Sequence, residues 1–211
     1  MDPGNLGPLQ KKLREGATLL FPDEASSALT PAVGRTWAPR GQTPQLQESW
    51  RPFERVMALG ALAVQERRGH LHSELFFHLE RSRPEKRSWH GPDMVRFLAQ
   101  VARHRKGEVY VIWDGAQQHR SAVVKHWVEA HPRFHLVPLP AYSPDFDPEE
   151  NVWGWVKGHE LTNLSAHSGE ELQGAWLGAL RQAQQRPALL EGFLRASALP
   201  WGTLLNQGRP R

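Results

Sequence analysis

Residues Glu108–Trp113 read EVYVIW, followed at once by Asp114 and Gly115, and this stretch decides the architecture. After its first residue the run is continuously apolar, β-branched and aromatic, as a strand buried on both faces of a parallel sheet would be. Its flanks carry the crossovers that parallel pairing needs. Upstream, Pro92–Arg105 (PDMVRFLAQVARHR) places Met94, Val95, Leu98, Val101 and Ala102 at the spacing of one helix face. Pro92 suits a first helical turn, and Arg103, His104 and Arg105 suit the negative end of the dipole. Downstream, Ser121–Ala130 reads as a helix capped by Ser121, and Phe134–Leu139 (FHLVPL) as the next strand.

Farther upstream the character changes. Ala17–Phe21 (ATLLF) ends at Pro22-Asp23, Arg55–Val64 (RVMALGALAV) stops in a charged cluster, and Leu71–Leu79 (LHSELFFHL) follows a turn at Arg68-Gly69. That order predicts an antiparallel meander feeding into α/β crossovers, hence a mixed sheet with helices on its faces. Residues 1–16 read as a loose segment with at most one helical turn. From Gly169 to Ala198 the pattern is helical, interrupted at Pro187; Leu172, Ala175, Trp176, Ala179 and Leu180 form one stripe of a layer covering the sheet.

Composition sets the outer bounds. The 211 residues suit one full-sized domain, and 39% hydrophobic against 23% charged residues is enough to bury a core. With no cysteine, disulfide scaffolds, thiol nucleophiles and thiolate metal sites are excluded. No apolar run reaches the roughly 18 residues of a membrane span, and the polar, Gly/Pro-punctuated start lacks the apolar heart of a secretion signal. The expectation is an intracellular, cytoplasmic protein with no membrane partner. Lys+Arg 26 against Asp+Glu 22 leaves +4, and 20 of the 26 cations are Arg. Guanidinium forks suit phosphate oxygens, although an Arg-favouring codon usage produces the same bias.

Three acids sit just past a strand or at a helix start. Asp23 follows ATLLFP, Asp114 follows VYVIW, and Glu150 lies in LPAYSPDFDPEENV (Leu139–Val152), where Asp147 reads as N-cap and Pro148 as the first helical residue. If their strands are neighbours, Asp23 and Asp114 meet at the carboxyl end of the sheet, where open α/β sheets place their sites. Converging carboxylates repel unless cations hold them, and Mg²⁺ or Mn²⁺ shared with substrate phosphates is the fitting partner. Each acid also has a structural reading. Asp23 reads as a loop carboxylate, Asp114 as a turn former before Gly115, and Glu150 as the far half of a capping box on Asp147. No HExxH, GxxxxGK[ST] or GxGxxG word occurs, so zinc and nucleotide cofactors are not expected.

The words around these acids carry a resemblance. FPDEASSALTPAVGRTWAPRGQTP (Phe21–Pro44), DGAQQHRS (Asp114–Ser121) and LPAYSPDFDPEENVWGWVK (Leu139–Lys157) resemble, in order, the catalytic domain of IS630-type insertion-sequence transposases of the Tc1/mariner superfamily. The match runs from about residue 17 to about residue 165. The resemblance implies an RNase H-like (retroviral integrase-like) α/β fold with five strands, the first three antiparallel. It makes Asp23, Asp114 and Glu150 a catalytic and metal-binding triad for two Mg²⁺ or Mn²⁺ ions, with Glu150 rather than Glu149 aligned through Trp153. His119 takes the family's accessory histidine position.

The implied reaction cuts element ends at inverted repeats and joins the freed 3′-hydroxyl to target DNA at TA dinucleotides, in a homodimer on nucleoid DNA. Residues 17–200 would form this catalytic domain, with 201–211 a tail. Gly115 and Asp147 depart from the usual Asn at both positions, and Pro22 removes a backbone donor beside Asp23. Arg35, Trp37 and Arg40 in GRTWAPRGQTP, with Lys157, are candidates for DNA contacts; for Trp37 itself the reading as a plug in the core of a hairpin is favoured. Arg81, Arg83, Lys86 and Arg87 read as a phosphate-tracking run or as a solvated loop. Only 22 residues precede Asp23, fewer than the roughly 50 of a helix-turn-helix reader, so the expectation is the catalytic half alone, from a truncated frame or from a split one that leaves a separately encoded recognition half as partner. The rival readings are an RNase H-like nuclease with another task and an inactive remnant that binds DNA or a partner transposase.

Overall fold

The computed structural model describes residues 7–30, 32–46, 54–139 and 143–199. Five strands form one sheet: β1 (Thr18–Ala28), β2 (Arg55–Arg67), β3 (His70–Arg81), β4 (Val109–Trp113) and β5 (Phe134–Pro138), in the order β3-β2-β1-β4-β5. β1 pairs antiparallel with β2, and β2 with β3, whereas β4 joins β1 and β5 in parallel. This is the mixed sheet of the RNase H-like fold.

Alternation along β2 explains its unbroken apolar sequence. Val56, Ala58, Leu62 and Val64 face one helical layer, made of α1 (Gly7–Arg14), α4 (Glu149–Trp155), α5 (Gly169–Gln184) and α6 (Pro187–Ala196). Met57, Leu59, Ala61 and Ala63 face the other, made of α2 (Gly91–His104) and α3 (Ala122–Glu129). The strand is buried on both sides, so the two-residue period is masked by burial of both phases. Trp176, fully buried on α5, meets Trp153 of α4 edge-on at 5.8 Å between ring centroids, locking the α5 stripe onto the helix that carries the acids.

Three expectations are corrected. Residues 7–14 are not loose: Leu9 and Leu13 are buried under β1 and β2, giving a short helix the apolar face it needs. The first strand does not stop at Phe21 but continues to Ala28. Pro22 is accommodated because the ladder to β4 ends at Leu20, so beyond it β1 is an edge on that side, where a missing donor is tolerated. Ser121 stands at the N-cap position of α3, yet its side chain makes no capping bond. The expected tail over 201–211, like Pro140, Ala141 and Tyr142 of LPAYSP, lies outside the described residues.

Candidate active site

The parallel register of β1 and β4 places the first two acids. Leu20 lies opposite Val111, and Asp23 and Asp114 each follow three residues later, Asp23 still within β1 where its pairing to β4 has ended and Asp114 just past the end of β4. Alternation from Leu19 and Phe21 turns Asp23 towards the α4 layer, where Trp153 Nε1 donates to Asp23 Oδ2 at 2.9 Å. Asp114 is the exposed member, with its side chain 60% accessible. Its Oδ1 accepts from the Ala116 amide at 3.0 Å and faces His119 Nδ1 at 2.7 Å, so the turn-forming role read from the sequence coexists with a fixed carboxylate.

The third acid comes from the start of α4. The helix starts at Glu149 with Pro148 at its N-cap position, one residue later than expected, and Asp147 Oδ1 accepts from the Glu149 amide at 3.0 Å. The capping box is not made: the Asp147 amide is taken by the Pro144 carbonyl, and Glu150 stands exposed on the first turn. Val152, Trp153 and Val156 are the buried stripe, which leaves Glu150 on another side of the helix.

α4 sits close because β2 has no side chain beneath it. Gly60 lies opposite Asp23, and a Cβ there would collide with Glu149 Oε1 and the Trp153 ring. Glu149 fills that gap as a fully buried carboxyl whose two oxygens have no hydrogen-bond partner.

These acids are held away from their ordinary ionisation. Burial pushes Asp23 up to about 7, helped by Glu150 and Glu24 and opposed by the Glu24 amide and Trp153. Burial likewise lifts Asp147 to about 8, with Asp23, Glu150 and Asp114 adding repulsion. Glu149 is raised well above the usual carboxylate range by burial, then by Asp147 and Asp23. The four acids Asp23, Asp114, Asp147 and Glu150 therefore share one field. Among the described residues, no three His, Asp or Glu side chains are grouped so as to hold a metal ion as they stand.

His119 lies on the other side of the strand ends. It is 2% exposed, stacks on Trp113 at 4.2 Å between centroids, and reaches Glu24 Oε1 with Nε2 at 2.9 Å. Burial alone would lower its pKa, but the hydrogen bond and charge of Glu24, with Asp114, raise it. Nε2 thus faces the Glu24 carboxylate, while Nδ1 lies 3.2 Å from the Asp114 carbonyl and 2.7 Å from its Oδ1. A strand that ends at Phe21 leaves Glu24 out of the site. Strand alternation past Asp23, which turns residue 24 to the opposite face, is the signal that finds it.

The arginine-bearing loop stands apart. Ala32 bridges Thr162, the Gly34 amide donates to Asn163 Oδ1 at 2.9 Å, and Asn163 adopts φ 60°, a conformation asparagine tolerates. Beyond this anchor Arg35 and Arg40 are exposed and Trp37 is 100% exposed, so Trp37 plugs no core. Lys157 is half-buried in a π-helical turn, Val156–Glu160, that prolongs α4. Neither Lys157 nor the loop touches the acid cluster through any described hydrogen bond or ion pair.

Residues 18–173 match the model of the DDE superfamily endonucleases. Among solved structures, the mariner Mos1 paired-end complex with Mg is similar at 17% identity and a TM-score of 0.62, covering 96% of this chain and 58% of that one. The Mos1 strand transfer complex aligns at 17% identity and a TM-score of 0.55, covering 93% of this chain and 59% of the other. The Mos1 transposase catalytic domain with Raltegravir and Mn aligns at 15% identity and a TM-score of 0.56, over 98% and 90% of the two chains. The chain thus spans somewhat under two thirds of the Mos1 chains in the DNA complexes and nearly all of the catalytic domain. No curated relative matches.

Proposed function

The chain belongs to the DDE superfamily endonucleases, and from that membership we propose a DNA transposase catalytic domain whose triad is Asp23, Asp114 and Glu150. One observation carries the triad. Asp23 and Asp114 stand three residues beyond the paired Leu20 and Val111 of adjacent parallel strands, and Glu150 acts on the Asp23 carboxyl from the first turn of α4. The donor set fits Mg²⁺ or Mn²⁺, because every proposed ligand is a carboxylate and the charges acting most strongly on Asp23 and Asp147 are other carboxylates. Two such ions, when bound, would activate the attacking oxygen and stabilise the leaving one.

The chain's own residues supply the rest. Trp153 fixes the Asp23 carboxylate by its indole N–H, and His119 with the Ala116 amide fixes Asp114. Arg35, Arg40 and Lys157 are proposed to meet backbone phosphates, with the exposed Trp37 ring offering a stacking surface. In the reaction, water adds its oxygen to phosphorus and the 3′-oxygen leaves as a hydroxyl. That hydroxyl then attacks a target phosphodiester, forming one P–O bond as another breaks.

Nicking of supercoiled plasmid in Mn²⁺ tests the reading. The wild-type chain is expected to nick, and Asp114→Ala to fall by more than about 100-fold with an unchanged circular dichroism spectrum. Equal rates in the two proteins, or no nicking in either, would overturn it in favour of an inactive remnant.

A further inference from the structure

The face of β1 opposite Asp23 carries a second concavity that the triad does not use. A cleft of about 600 Å³ opens there between β1, the start of α2 and the segment leading into α3. This is the size range of small-molecule and nucleotide sites. Met57 and Trp89 give it an apolar floor, and the Trp89 ring is fixed because its Nε1 donates to the Ala58 carbonyl at 3.2 Å. Around that floor stand groups of both hydrogen-bonding senses, Ser26, His90 and the amides of Gln117 and Gln118.

Two features fix the walls of this cleft. The Ser121 hydroxyl, at the cleft wall, is buried and has no hydrogen-bond partner, although it stands where it would ordinarily cap α3. It is kept there by Gly91, since any Cβ at that position would collide with it. Glu24 closes the inner end and is the same carboxylate that holds His119, which in turn holds Asp114.

The lining selects among ligands. A bare anion is disfavoured by the Glu24 carboxylate, whereas a neutral heterocycle with donor and acceptor edges suits both the floor and the rim. Arg87, exposed at the mouth, is placed for the phosphate to which such a heterocycle is tethered. We propose that this cleft seats one unpaired nucleotide of the DNA strand, its base over Met57 and Trp89 and its phosphate at Arg87. The inference rests on the DNA reading above. It adds a site on the opposite face of the sheet, coupled to Asp114 through Glu24 and His119.

Met57 makes the proposal directly observable, because the chain has three methionines, Met1, Met57 and Met94. Met57 lines the cleft, while Met94 is fully buried behind it in α2. Methyl-¹³C methionine NMR in EDTA would compare a hairpin duplex bearing a one-nucleotide 3′ overhang, the same hairpin with a blunt end, and inorganic phosphate. The overhang is expected to shift Met57 and not Met94; the blunt duplex and phosphate should leave both unmoved. Ser26→Trp, and separately Gln117→Trp on the exposed rim, should abolish the Met57 response while retaining blunt-duplex binding by fluorescence anisotropy. An equal shift with blunt duplex, a shift with phosphate alone, or an unmoved Met57 despite measurable duplex binding would each overturn the nucleotide site while leaving the transposase reading intact. Absence of binding to any DNA would defeat that reading, and the nucleotide site with it.

Discussion

Asp23 and Glu24 are consecutive carboxylates on one strand, yet their surroundings are opposite. Glu24, on the α2/α3 side, faces His119 and accepts from Gln118 Nε2 at 3.3 Å. Asp23, on the α4 side, meets the Trp153 indole N–H and the Glu24 amide, neither of them charged, and otherwise the fields of other acids. The first face satisfies its charge from within the chain; the second gathers charge and leaves it uncompensated. A group of buried acids without a counter-charge opposes folding unless a cation supplies what the protein omits, so the contrast separates a carboxylate satisfied within the chain from one that is not.

Substitutions that remove each charge should therefore diverge. Asp23→Asn keeps an acceptor for Trp153 but loses the charge. It should lower nicking by more than about 100-fold while raising metal-free stability at pH 8 by about 1 kcal/mol or more, measured by urea denaturation. Loss of both activity and stability would mean that Asp23 belongs to the satisfied class. Glu24→Gln should do the reverse on stability, destabilising the chain because it removes the carboxylate that His119 Nε2 faces inside the fold. It should lower nicking by about 10-fold as Asp114 loses its fixed neighbour. An unchanged rate would show that the His119 link does not position Asp114.

The smallest effect is on pH dependence, and its sign follows from protonation. Asp23 and Asp147 are raised in the folded chain to about 7 and about 8, above their unfolded values near 3.8. Between those limits the folded state holds protons that the unfolded chain has released. Their contribution to stability is complete below about pH 4 and is lost as pH rises through 7 to 8. In EDTA the melting temperature should fall by several degrees from pH 5 to pH 8, and Mg²⁺ should restore more at pH 8 than at pH 6. A melting temperature flat with pH would remove the uncompensated cluster from the account.

Much of this arrangement is legible in the amino-acid sequence. The apolar run Val109–Trp113 and the alternating stretches around it gave the sheet, because strands buried on both faces leave continuous hydrophobic runs. Asp147 and Pro148 announced the start of α4 through the ordinary demands of a helix N-terminus. What stayed hidden depended on partners remote in sequence. Pro22-Asp23 has the local look of a turn, and only pairing with β2 carries the strand through it to Ala28. Glu149 reads as a solvated residue of a helix first turn, and only the missing side chain at Gly60 shows that it is buried. Trp37 was ambiguous for the converse reason: an aromatic between two strands predicts burial, and nothing local reports that its loop stands off the body on a Thr162–Asn163 anchor.

The central claim is that Asp23, Asp114 and Glu150 together bind the divalent ions that the chain's own charges do not replace. Mn²⁺ titration followed by electron paramagnetic resonance measures this without relying on turnover. The account predicts two bound ions per wild-type chain and fewer in Asp23→Asn, Asp114→Ala and Glu150→Gln, with the circular dichroism of all four proteins alike. Mn²⁺ that stays free in the wild type, or binding left untouched by all three substitutions, would contradict it.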